Sequence, residues 1–192
     1  MVTAAPRKGL TYAEYAALER ASEEKHEYLA GEVFAMAGAK RAHNLIAGNV
    51  VTILNNQLRE RPCLVFPSDM RVRTRDEVGT YPDVSVLCGR PEFVDAGEDD
   101  LLNPTLIVEV LSESTERYDR GVKFEHYQSI PSFREYVLAS STRARIEVFT
   151  RVDERTWSVR AYGPGETAPL SSLAVGLPVD DVYLKVFEDA AG

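Results

Sequence analysis

The chain has 192 residues, 44% of them hydrophobic, which is enough to bury a core without metal or disulfide staples. Thirty acidic against 22 basic residues give a net charge of −8, which excludes capture of nucleic acid by the overall field and leaves any polyanion to meet a local basic patch. The charged opening, 1–8, leads into no apolar stretch of signal-peptide length, and no run approaches the roughly 18 apolar residues of a membrane span, so a cytoplasmic protein without membrane contact is expected.

In chain order, Thr11 with Glu14 three residues later reads as the N-cap of a first helix that carries Tyr15 and Leu18 and ends near Ser22. Gly31 divides 28–36 into two short apolar stretches, which predicts a small hairpin or a strand entered through a turn, with Glu32 on the second limb. Over 42–58 the apolar positions Ile46, Val50, Ile53, Leu54 and Leu58 keep the three-to-four spacing of an amphipathic helix. Residues 63–66 and 69–73 read as strand with a bend at Pro67, and 83–87 as another strand. Cys63 and Cys88 lack the paired spacing of a zinc knuckle or a redox motif and are read as small apolar residues. A loop follows around 95–100. Then 106–111 is a nearly continuous aliphatic run, the signature of a central strand covered on both faces, interrupted only by Glu109.

Cap-type residues at 112–115 precede a helix supported by Tyr118, Val122, Phe124 and Tyr127, which must stop before Pro131. Strands are predicted at 135–138, 145–150 and 157–162, while the tail over 173–179 and 182–187 is less legible. No repeat or linker divides the chain, so residues 1–192 are expected to form one domain of α/β class, in the mixed α+β sense. For a basic patch the candidates are Arg71, Arg73 and Arg75, alternating along one strand face, and Lys40 with Arg41 before a helix; a solvated strand face explains the arginine row equally well.

Glu109 is the most informative residue, because a carboxylate inside a buried strand costs several kcal/mol unless a cation or donors compensate it. Asp83 begins an apolar strand after Pro82 and is therefore held on a rigid element, although alone it reads as a capping aspartate. Two carboxylates on neighbouring strands form a hard oxygen site suited to Mg²⁺ or Mn²⁺ and poorly suited to zinc. Asp119, Lys123 and Tyr127 recur every fourth residue and so share one face of the following helix, either turned to the carboxylates or as an exposed ion pair above a core tyrosine. Glu32 is either an approach to the metal from the hairpin or a surface acid beside a turn glycine, and His43 is either catalytic or a satisfied core or capping histidine.

Taken in order, Tyr81-Pro82-Asp83-Val84-Ser85-Val86, then Leu106-Ile107-Val108-Glu109-Val110-Leu111-Ser112, then Asp119, Lys123 and Tyr127 before Pro131 and Glu135-Tyr136, resemble the Uma-type family of restriction-endonuclease-like proteins within the PD-(D/E)XK nuclease superfamily. Gly31-Glu32-Val33 and His43 are similar to that group as well. The resemblance covers most of the chain. It implies a restriction-endonuclease-like core with a mixed central β-sheet flanked by helices, and Mg²⁺- or Mn²⁺-dependent cleavage of nucleic acid, with DNA the expected partner. It further implies Asp83, Glu109 and the Val110 carbonyl as metal ligands, Lys123 as the catalytic lysine, and Asp119, Tyr127, Glu32 and His43 in support. A homodimer is expected by analogy with enzymes that cut two strands. One departure stands out: Leu111 occupies the position two after Glu109 where the superfamily usually has lysine, and Lys123 would have to reach the site from the helix. A non-catalytic binding module on the same fold, and a metal-dependent hydrolase of small phosphoesters, are the alternative readings.

Overall fold

The computed structural model describes residues 8–36 and 38–188. The reading of 1–8 therefore lies, but for Lys8, outside the described residues, as do the ends of the expected 1–192 unit. Helix α1 (Tyr12–Ala21) has the predicted capping box, with Thr11 and Glu14 exchanging side-chain and backbone hydrogen bonds, and ends at Ser22. Strands β1 (His26–Leu29) and β2 (Glu32–Ala35) form the hairpin, Leu29 pairing with Glu32 across a turn in which Gly31 adopts φ +90°. Helix α2 (Arg41–Leu58) follows. Its stripe of Ile46, Val50, Leu54 and Leu58 is fully buried, each side chain contributing about 1.5–3 kcal/mol of burial.

Two main sheets result. Strands β3 (Cys63–Pro67), β6 (Val84–Cys88), β8 (Leu106–Leu111), β9 (Glu135–Ser140), β10 (Ile146–Arg151) and β11 (Trp157–Tyr162) form a six-stranded mixed sheet in the order β11-β10-β9-β8-β6-β3, in which only β8 and β9 run parallel. Strands β4 (Arg71–Arg73), β5 (Gly79–Thr80) and β7 (Asp100–Leu101) join the hairpin in a five-stranded sheet ordered β2-β1-β5-β4-β7. The bend expected at Pro67 thus separates two sheets. Gly79 is required where β5 passes under α1, since a Cβ there would lie 2.9 Å from the Tyr15 ring. A last hairpin, β12 (Thr167–Leu170) with β13 (Val175–Pro178), and the short helix α5 (Val179–Val182) account for the tail.

The alternation of β8 sets up the site. Leu106, Val108 and Val110 face the cluster built on α2 and the C-terminal hairpin, while Ile107 and Leu111 face a second cluster with Leu138, Tyr127, Phe133 and Tyr136. Glu109, between Ile107 and Leu111, therefore points into the second layer. That layer is closed by α3 (Glu116–Tyr118), a π-helical turn over Asp119–Lys123, and α4 (Phe124–Gln128). The fold is the expected mixed α+β arrangement, with mixed sheets flanked by helices.

Several expectations are corrected. Cys63 and Cys88 are not separate apolar residues: the antiparallel register of β3 and β6 sets them opposite each other, and they form a disulfide. Arg71 is buried rather than solvated, paired with Asp100. Arg73 binds Glu77 and lies 4.0 Å from the Tyr12 ring centroid, and Arg41 donates to the carbonyls of Lys185 and Val186. Val122 is 40% exposed, because the wide π turn presents Asp119 and Lys123 inward and leaves it outside.

Candidate functional site

Asp83 leads β6 beside β8, and its Oδ2 accepts the Val110 N–H at 2.7 Å, which fixes the carboxylate next to Glu109. It is the amide of Val110, not its carbonyl, that touches Asp83. His43 reaches the same oxygen from α2, Nε2 to Oδ2 3.2 Å, while its buried Nδ1 has no protein partner. Burial works against a charged His43 ring, but the hydrogen bond to Asp83 together with the Asp83 and Asp119 charges outweighs it and raises the ring's pKa.

Glu109 is 3% exposed. Its Oε1 takes the Lys123 ammonium at 3.0 Å and the Tyr127 hydroxyl at 2.9 Å. Lys123 also lies 3.0 Å from Glu27 Oε1 and 3.8 Å from Asp119 Oδ1. The side chain from the π turn thus fills the place left by Leu111, which is itself buried in the apolar layer. Tyr127 is linked onward to Thr80 at 2.9 Å, and the Tyr136 hydroxyl donates to the Asp119 carbonyl at 3.0 Å.

The charges do not balance. Three carboxylates ring one ammonium, and Asp83 stands just beyond Glu109. Desolvation pushes Glu109 well above the usual carboxylate range, Lys123 opposes that, and the Asp119, Asp83 and Glu27 charges add to it. Asp119 is raised for the same first reason. Burial would lower Lys123, but the Glu109 and Glu27 carboxylates prevail and hold it well above an ordinary lysine. A local surplus of negative charge in a dry site is relieved by protonation, which the raised pKa values of Glu109 and Asp119 express, or by a further cation.

Among the described residues no three His, Cys, Asp or Glu side chains converge as a metal cage, since the acids surround the ammonium rather than a common point. Mg²⁺ ordinarily takes one or two carboxylates, waters and substrate phosphate instead of such a cage, so the donor chemistry of Asp83 and Glu109 fits it. Of the residues named from the sequence, Asp83, Glu109, Val110, Asp119, Lys123, Tyr127 and His43 come together. Glu32 does not: it pairs with Lys8 at the turn end of the hairpin. Glu27 takes its place and was missed by sequence reasoning. In the hairpin register Leu29 faces Glu32 and Glu27 faces Phe34, so the two acids share a face, with Glu27 two residues farther from the turn and closer to β5. That register was the available signal.

Residues 12–180 match the model of the Uma2 family, described as "Putative restriction endonuclease". Two proteins of Synechocystis sp. strain PCC 6803 are similar: "Uncharacterized protein slr1290" is 34% identical over 93% of this chain and 94% of its own, and "Uncharacterized protein sll1609" is 37% identical over 82% and 89%. A crystal structure of "a putative nuclease belonging to DUF820" from Anabaena variabilis superposes with a TM-score of 0.75 at 18% identity, covering 91% of this chain and 98% of that one, which establishes a shared fold. No helix of the described residues is long and apolar enough to cross a membrane.

Proposed function

Because the chain belongs to the Uma2 family, we propose that it is a divalent-metal-dependent endonuclease that hydrolyses phosphodiester bonds of nucleic acid, with DNA as its substrate, in the cytoplasm. The observation that carries the reading is the Lys123 ammonium 3.0 Å from Glu109, beside an Asp83 anchored to the next residue of the same strand. Asp83 and Glu109 are the residues to hold Mg²⁺ or Mn²⁺, with the Val110 carbonyl as a further oxygen. When bound, the metal would supply Lewis acidity and lower the pKa of an attacking water.

The chain's own residues do the rest. Lys123 donates to the attacking water or a phosphate oxygen and meets charge that develops there. Glu27 and Asp119 hold that ammonium protonated and aimed, and Tyr127 fixes the carboxylate of Glu109. His43 donates to Asp83 and orients it, as groups behind a metal ligand do. A homodimer able to cut both strands belongs to the same proposal. Against its cytoplasmic part stands the Cys63–Cys88 bond, since reducing compartments disfavour disulfides.

The test is cleavage of mixed DNA and RNA substrates in Mg²⁺, Mn²⁺ and EDTA by wild type, Asp83→Asn and Lys123→Met. Metal-dependent cutting that falls by at least about a thousandfold in both variants is expected. The net charge of −8 favours a second reading, a non-catalytic module on the nuclease fold. That reading prevails if the wild type cuts nothing.

A further inference from the structure

The acidic chain needs a basic spot to meet a phosphate, and three of the arginines first suspected are committed elsewhere: Arg71 to Asp100, Arg73 to Glu77 and Arg41 to main-chain carbonyls. A cleft of about 170 Å³ beside the acidic site offers another. Leu111, Leu138, Arg120, Arg143, Arg145 and Glu147 are among the residues that line it. Leu138 pairs with Glu109 and Glu147 pairs with Leu138, so the three form one row on the same face of the sheet. Two strand spacings, about 10 Å, separate the cleft from Glu109. The same π turn serves both places, giving Asp119 and Lys123 to the acids and Arg120 to the cleft.

Glu147 accepts Arg120 Nη1 at 2.6 Å and Arg145 Nε at 2.9 Å, and so holds two guanidinium groups at the rim. The terminal nitrogens of Arg145 make no hydrogen bond among the described residues. Arg143 is exposed and has neither an ion pair nor a hydrogen bond there. Three guanidinium groups against Glu116 and Glu147 leave the cleft positive on a negative protein. Its volume falls below the roughly 300 Å³ of a small-molecule pocket, yet it admits a single phosphate group with water. Planar guanidinium forks suit that ligand.

We infer that this cleft binds a backbone phosphate of the nucleic-acid strand, about two to three nucleotides from the scissile bond at the 3.4 Å rise per phosphate of one strand. The inference rests on the phosphodiester reading above and adds where the strand runs: past the outer side of the π turn, from the Glu109 end of β8 toward the start of β10. Arg143 and Arg145 make the contact, and Glu147 positions Arg145.

Fluorescence anisotropy of a labelled oligonucleotide over a salt series, in EDTA so that nothing is cut, tests this with wild type, Arg143→Gln and Arg143→Gln/Arg145→Gln. The control is Arg155→Gln, exposed at the opposite end of β10. The double variant should bind about tenfold or more weakly, with the slope of log affinity against log salt reduced by about two, while the control matches wild type. Because Arg143 is exposed and unpaired, the single variant keeps its melting temperature and should lose about one unit of slope, which keeps the test valid if the double variant unfolds. If both cleft variants bind as wild type does, the inference fails while metal-dependent cutting leaves the nuclease reading intact. A wild type that neither binds nor cuts overturns both.

Discussion

Two of the buried ionic clusters among the described residues are built to opposite ends. In the first, Arg71 and Asp100 pair one to one with side chains 3% and 4% exposed, and the Tyr12 hydroxyl donates to Asp100 at 2.9 Å. The Arg71 guanidinium lies 5.1 Å from the Tyr15 ring centroid. Its charge is matched where it stands, and it ties β4 and β7 to α1. In the second, Lys123 faces Glu27, Glu109 and Asp119, with Asp83 behind them. Burial alone does not distinguish the clusters; the unmatched charge does. A matched pair serves the fold, whereas surplus carboxylate in a dry layer is held either protonated or against a further cation.

The largest expected effect falls on the matched cluster. Asp100→Ala leaves Arg71 buried without a counter-ion and should cost about 3–5 kcal/mol in chemical denaturation, with no recovery on adding Mg²⁺. A loss under about 1 kcal/mol would break the contrast, since Asp100 would then carry no buried charge.

A smaller and conditional effect is expected at the site. Lys123→Met should destabilise the metal-free protein by about 2 kcal/mol at pH 8, and the deficit should shrink both with Mg²⁺ and as pH falls toward 5. Glu109 and Asp119 are acids whose pKa is raised on folding. Their ionisation therefore costs stability, a cost absent below the unfolded value near 4 and growing as pH climbs to the folded one. Removing the ammonium enlarges that cost, so thermal melts at both pH values, with and without Mg²⁺, measure it. A deficit independent of pH and metal would make Lys123 an ordinary structural partner.

The same contrast governs what the sequence made legible. Glu109 stood out because one charge interrupts a six-residue aliphatic strand, and Asp119, Lys123 and Tyr127 because their spacing survives the π turn. Helix α2 and its buried stripe followed from periodicity alone. What stayed hidden depends on pairing between distant segments. Glu27 enters the site only through the hairpin register and the seating of β1 on β5, the cysteines meet only because β3 lies against β6, and Arg71 is buried only because β7 brings Asp100 to it. The arginine cleft likewise needs β9 and β10 side by side before Arg120 and Arg145 can share Glu147.

The central claim is that the unmatched acids await a divalent cation. Isothermal titration of Mg²⁺ and Mn²⁺ into wild type and Glu109→Ala measures this directly. The account predicts saturable binding by the wild type that is lost in the variant; equal heats in both proteins, or none above dilution in the wild type, would contradict it.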